Sequence, residues 1–124
     1  MKKQRPVNLN LMTIRQPAAA ISSILHRISG LIMLISVGLL VWALATSLQS
    51  AEGFAMVHEL FTGFIAKFIL WGILTALGYH LVAGIRHMIM DMGYFEELVS
   101  GRITAQISFV LGIVLSVLAG VWLW

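Results

Sequence analysis

The sequence predicts an all-α integral membrane protein with three transmembrane helices. Three observations carry this. Hydrophobic residues make up 60% of the 124-residue chain and charged ones only 10%, against about 25% charged in an ordinary soluble domain. Asp, Glu, Lys and Arg are absent from three runs: the 24 residues Ile28–Ala51, the 18 residues Phe68–Ile85 and the 22 residues Ile103–Trp124. Each run approaches or exceeds the roughly 20 apolar residues that cross a bilayer as a helix. Helix is the form to expect, because a segment in lipid must satisfy its own backbone polar groups.

The elements follow in order along a single membrane-anchor domain, 1–124. Residues 1–17 form a polar cytoplasmic arm to which Leu9, Leu11 and Ile14 lend some apolar character. Pro17 suits the first turn of a helix, so the first helix is expected over about 18–46. Ser47 to His58 reads as an outer loop. The second helix is expected over about 59–90, with Lys67 snorkelling outward, and the third over about 103–124. Trp42, Trp122 and Trp124 fall where an aromatic belt sits at the outer interface. Ala43-Leu44-Ala45 imitates a signal-peptidase site, but the apolar run before it is too long for a secretory signal, so the first helix is expected to be retained.

Charge placement orients the bundle. Lys2, Lys3, Arg5, Arg15 and Arg27 precede or open the first span, and Arg86 and Arg102 flank the second loop; only Lys67, of eight basic residues, lies toward the other end. By the positive-inside rule the N-terminus is cytoplasmic and the C-terminus lies across the membrane. The basic residues thus need no nucleic acid as partner. The chain has no cysteine, so it holds no disulfide and no thiolate-bound iron–sulfur cluster. Three helices offer few walls for a cofactor, which points to partner subunits.

Two segments carry chemistry. In the first, His80 lies about 9 Å along the helix from Arg86 and roughly 20 Å from Lys67, inside the hydrocarbon. An ionisable residue there is costly and points to function. Gly72, Ala76, Gly84 and His87 share its face, and small residues beside a histidine let a flat group such as a porphyrin approach the backbone. Neutral imidazole is a standard haem-iron ligand. The alternative is a small-residue contact between helices with His80 hydrogen-bonded across it. His26 reads as a poor match to His80 in depth, and His58 and His87 as lying at the wrong levels, so a second axial ligand is expected from another chain.

In the second segment, Ser23 and Arg27 are four residues apart and share one face of the first helix. A hydroxyl and a guanidinium fork at headgroup depth suit the carbonyl oxygens of a quinone, and the cation favours negative charge developing there. The alternative is an arginine that snorkels to lipid phosphate. His26 could bind a haem propionate or make an interfacial hydrogen bond. Arg86 reads as part of an interfacial cluster that sets helix depth, and Tyr79 has no assigned role.

These motifs resemble a known family. Arg5-Pro6, then Ser23-x-x-His26-Arg27-x-Ser29, then His80-x-x-x-Gly84-Ile85-Arg86-His87-x-x-Met90-Asp91-x-Gly93, together with the stretch from Lys67 to Leu77, are similar to the signatures of the cytochrome b subunit of succinate dehydrogenase, in its enteric-type bacterial form. The resemblance implies that the chain is half of a two-chain anchor bundle in the bacterial inner membrane, paired with a second three-helix anchor subunit. It implies one haem b shared between the two, with His80 as the iron's axial ligand from this chain and the other axial histidine from the second anchor. It places His26 and Arg27 near the haem propionates, and Ser23 and Arg27 at the ubiquinone site. It also implies an iron–sulfur subunit and a flavoprotein subunit, holding the clusters and FAD, docked on the cytoplasmic face. The same residues would fit the anchor of a fumarate reductase. A haem-free structural or proton-relay subunit is the reading furthest from these.

Overall fold

The computed structural model describes residues 7–10 and 12–124; Lys2, Lys3, Arg5, Pro6 and Leu11, used above for charge, motif and the character of the arm, lie outside them. Four helices follow one another: α1 Ala18–Gln49, α2 Ala51–Thr62, α3 Phe64–Asp91 and α4 Leu98–Leu123. Among the described residues there is no strand. α1, α3 and α4 are each long and apolar enough to span a membrane, and the chain is a multi-pass membrane protein.

Pro17 caps α1 from an extended conformation, φ −68° and ψ 156°. The expected outer loop is largely helical. Ser50 leaves helical geometry and its hydroxyl accepts from the Gly53 amide at 3.0 Å, which starts α2. Glycine is needed at 53, since a Cβ there would collide with the Thr46 carbonyl oxygen. The Ser50 side chain and the local backbone also hold the Glu52 carboxyl below its ordinary range: its own amide contributes most, then the Ser50 hydroxyl. α2 folds back along the outer end of α1, where Phe54, Val57 and Phe61 face Leu40, Ala43 and Ser47. Gly63 separates it from α3. The second span therefore begins at Phe64, where the sequence suggested about residue 59. The third begins at Leu98, five residues before the last charge-flanked boundary at Ile103, because α4 carries Arg102 at its polar end.

The turn between α3 and α4 is tight. Gly93 takes φ +86°, which glycine adopts without strain. Phe95 takes φ +60°, a region that a bulky residue enters only when its surroundings hold it there.

The buried seam is made of small residues. On α1 these are Ser22, Ser29, Ser36 and Ala43, spaced by seven. On α3 they are Ala76 and Ala83, also seven apart, and on α4 Gly101, Ala105, Ser108 and Gly112. Lipid is as apolar as leucine, so helices in a bilayer associate through close backbone approach and not through burial of large apolar side chains. Ser36 and Ser108 donate to carbonyls four residues back, at 2.7 and 3.0 Å, so their hydroxyls cost nothing in the seam. The large side chains point outward: Leu34 is 72% exposed and Ile35 70%. Trp42, Trp122 and Trp124 are likewise exposed, free to meet the interface.

Candidate functional site

α1 and α3 run antiparallel, and their polar-end halves meet through histidines. The His26 and His80 rings stack with centroids 4.1 Å apart and planes 16° apart. His87 lies on the other side of His26, its ring centroid 5.0 Å away and tilted by 50°. The three imidazoles line one cleft of about 360 Å³ with Gly84, Ile85, Met88 and Asp91. His26 is therefore level with His80, which corrects the depth argument made from the sequence. α1 starts at Ala18, so His26 stands about 12 Å into its helix, deep enough to meet His80 on the opposed strand of the pair.

The stacked rings of His26 and His80 lie face to face, so their nitrogens do not converge on one point between them. An imidazole binds metal through a ring nitrogen, along the plane of its ring. Two face-to-face rings cannot both point a nitrogen at one atom lying between them.

The orientation of His80 has a definite cause. Its Nδ1 lies 3.1 Å from the His26 carbonyl oxygen and 3.0 Å from the Ser29 hydroxyl. The Ser29 hydroxyl itself donates to the same carbonyl at 2.8 Å. A carbonyl can only accept, and the hydroxyl proton is already committed to it, so Nδ1 carries the proton and donates. That tautomer leaves Nε2 with a free lone pair, the arrangement in which one ring nitrogen is fixed so that the other can bind a metal.

Two glycines make room for these rings. A Cβ on Gly30 would sit 3.1 Å from His80 Cε1, and one on Gly84 would sit 3.3 Å from His26 Nε2. The small residues at 30 and 84 are thus used by the histidine of the facing helix. Gly72, on the same face of α3, has nothing of this chain within 4 Å.

Ser23 and Arg27 stand one turn apart on α1, and neither lines the cleft that His26, His80 and His87 share. Ser23 is half-buried and Arg27 exposed. Neither bonds to a side chain or carbonyl across the bundle among the described residues, so their donors face outward from this chain. The structure does not bring them into the histidine cleft.

Two residues given little weight in the sequence turn out to be structural. Tyr79 donates to the Ser22 carbonyl at 3.0 Å and lies 3.1 Å from the Ser22 hydroxyl, tying α3 to α1, while its ring stacks on Phe109 of α4. Arg86 does not face outward from the bundle: it is 6% exposed, donating from Nε to the Thr104 hydroxyl and from Nη2 to the Gly101 carbonyl, both at 3.1 Å. The spacing Ala76, Tyr79, Ala83, Arg86 is the three-four pattern of one packed helix face, and it was the available signal. It went unread because two of its four members are polar.

Comparison with known proteins agrees with this layout. The model of a family described as succinate dehydrogenase/fumarate reductase transmembrane subunit matches residues 1–119. The chain is 44% identical over 126 residues to the succinate dehydrogenase cytochrome b556 subunit of Coxiella burnetii, covering 100% of both chains. It is 35% identical over 114 residues to the subunit of that name from Paracoccus denitrificans, covering 92% of this chain and 88% of that one. It is 27% identical over 124 residues to the succinate dehydrogenase cytochrome b560 subunit of Reclinomonas americana, covering 96% and 86%. With its three spanning helices and a family match over nearly its whole length, the chain belongs to the transmembrane subunits of succinate dehydrogenase and fumarate reductase.

Proposed function

We propose that this chain is the haem b- and ubiquinone-binding anchor of a succinate:quinone oxidoreductase, through which electrons from succinate oxidation reach ubiquinone. The observation that carries the reading is the fixed tautomer of His80. Its Nδ1 is held by the His26 carbonyl and Ser29, and its Nε2 would be free to bind haem iron. The names of the similar proteins, cytochrome b556 and b560 subunits of succinate dehydrogenase, support haem b and favour the succinate-oxidising direction over fumarate reduction.

The haem, when bound, supplies one-electron storage between donor and quinone. The roles of this chain's own residues follow from their chemistry. His80 would hold the haem iron from this chain, and a histidine of the second anchor subunit would complete its coordination. His26 and Arg27 lie at the polar end, where propionates would meet them. Ser23 and Arg27 project outward as a hydroxyl and a guanidinium, suited to hold the carbonyl oxygen of ubiquinone and to steady the negative charge that develops on it. A pocket for the whole ring needs further walls, which the second anchor and the iron–sulfur subunit supply. FAD and the clusters belong to the flavoprotein and iron–sulfur subunits. The basic end, with Arg15, Arg27 and Arg102, faces the cytoplasm and receives those subunits. The C-terminus is periplasmic in a bacterial inner membrane.

The test is a reduced-minus-oxidised absorbance spectrum of the complex co-expressed with its neighbouring subunits, wild type beside His80→Ala. A low-spin b-haem signal, lost or perturbed in the variant, is expected. An assembled complex without haem would overturn the cytochrome reading and favour a structural or proton-relay subunit.

A further inference from the structure

The haem and quinone reading does not use the placement of Arg86. Its guanidinium has five N–H donors. Two are spent on the Thr104 hydroxyl and the Gly101 carbonyl, both neutral groups. An ionised side chain inside a span pairs with opposite charge or with backbone carbonyls; Arg86 has one such carbonyl, and its remaining donors meet no anionic group among the described residues. The acidic residues closest in sequence, Asp91, Glu96 and Glu97, are exposed, and none bonds to Arg86 among the described residues.

Arg86 also lines a groove of about 230 Å³ between α3 and α4. Its walls are Val82, Ile85 and Ile89 on one side and Ile107 and Leu111 on the other, with Phe95 at the mouth. The groove runs from the Arg86–Thr104 level to Leu111, about 10 Å deeper along α4. A cation at one end and an apolar channel behind it select an amphiphile: a water-soluble anion gains nothing from the channel, and a hydrocarbon nothing from the cation. Its volume of about 230 Å³ and its apolar walls suit a segment of acyl chain.

Depth agrees. Arg86 stands five residues before the end of α3 at Asp91, about 8 Å along the helix, and Gly101 and Thr104 lie in the first two turns of α4. This is the polar boundary of the bilayer. Basic pockets between spanning helices at that level hold anionic lipid headgroups.

We infer that the α3–α4 groove binds one anionic phospholipid, its phosphate against the free face of the Arg86 guanidinium and an acyl chain along Val82, Ile89, Ile107 and Leu111. Phe95, held at positive φ at the mouth, closes over the chain. The groove lies between α3 and α4 and the histidine cleft between α1 and α3, with Ile85 lining both.

The experiment uses the complete complex in nanodiscs. Photoactivatable phosphatidylglycerol and phosphatidylcholine, each with a diazirine in one acyl chain, are compared at equal concentration, and adducts are mapped by mass spectrometry. The expected result is labelling of α4 around Ile107 and Leu111 at least fivefold stronger with phosphatidylglycerol, displaced by unlabelled phosphatidylglycerol. It should fall at least fivefold in Arg86→Gln and be largely kept in Arg86→Lys. The comparison of the two probes on wild type stands even where Arg86→Gln fails to assemble. Equal labelling by the two probes, undiminished labelling in Arg86→Gln, or labelling absent because a partner subunit crosslinks to a photoreactive residue at Ile107 would each overturn the inference.

Discussion

Gly30→Ala offers a sharp test of how His80 is held. The added methyl would stand 3.1 Å from His80 Cε1 and 3.6 Å from Nδ1. Carbon atoms pack best at about 3.5–4.0 Å, so the ring must retreat by roughly 0.4 Å. It is held by contacts of 3.0 and 3.1 Å at Nδ1 and backed by the His26 ring at 4.1 Å. A retreat of that size takes both hydrogen bonds toward about 3.5 Å, past the usual range, and forfeits much of the ~1 kcal/mol each contributes. Alanine returns about 0.8–1.0 kcal/mol of helix propensity. Helix propensity offsets about half of that loss, a net cost of about 1 kcal/mol that the bundle should tolerate, so the variant should fold and assemble while the imidazole is displaced. With His80 as the proposed haem ligand, a change of ~1 kcal/mol corresponds to about 40 mV for a one-electron couple. Redox titration of the purified complex should therefore show a midpoint shifted by up to that amount, or a reduced haem content, at normal complex yield. Gly38→Ala adds the same methyl with nothing of this chain within 4 Å and should leave both unchanged. A wild-type spectrum and midpoint in Gly30→Ala would refute the reasoning, because the ring would then have slack that the geometry denies it.

Other expectations concern separate parts of the molecule. Arg27→Leu should lower quinone reduction on the order of a hundredfold, the usual loss when a donor to developing negative charge is removed, while reduction of an artificial dye by the flavoprotein and iron–sulfur subunits continues; equal loss of both activities would indicate failed assembly instead. Ser23→Ala, which removes one neutral donor, should cost about fivefold in the same assay with haem retained, and unchanged quinone kinetics would count against its role. Gly112→Ala should destabilise the bundle by about 1–3 kcal/mol through overpacking: its Cβ would lie 2.8 Å from Tyr79 Cδ2, and that ring is pinned by Ser22 and Phe109. Detergent-unfolding midpoints of the complex measure it, and a stability equal to wild type would show that the ring is free to move.

Much of the architecture was legible because it depends on quantities that run along the chain. The absence of charge over three stretches dictates three spans, since a charge in hydrocarbon is costly and an apolar segment must close its own hydrogen bonds as helix. Helix ends were read less well. The Ser47–His58 segment, with Glu52 and His58, reads as a loop by charge, yet a serine cap at Ser50 and the glycine at 53 start a helix there that runs to Thr62.

The site divides in the same way. The sequence alone singled out His80, His26, Ser23 and Arg27, because ionisable and polar residues stand out against an apolar background. What it could not supply was the relative depth and rotation of the helices. Those are set by the fit of Ser, Ala and Gly side chains along the seam, residues that add almost nothing to a hydropathy profile. Only the packed bundle decides that His26 stacks level with His80, that the His26 carbonyl and Ser29 hold Nδ1, and that Arg86 turns inward to α4. Each of these follows from backbones approaching closely where small residues permit it, a property of two surfaces in contact and not of either strand of sequence.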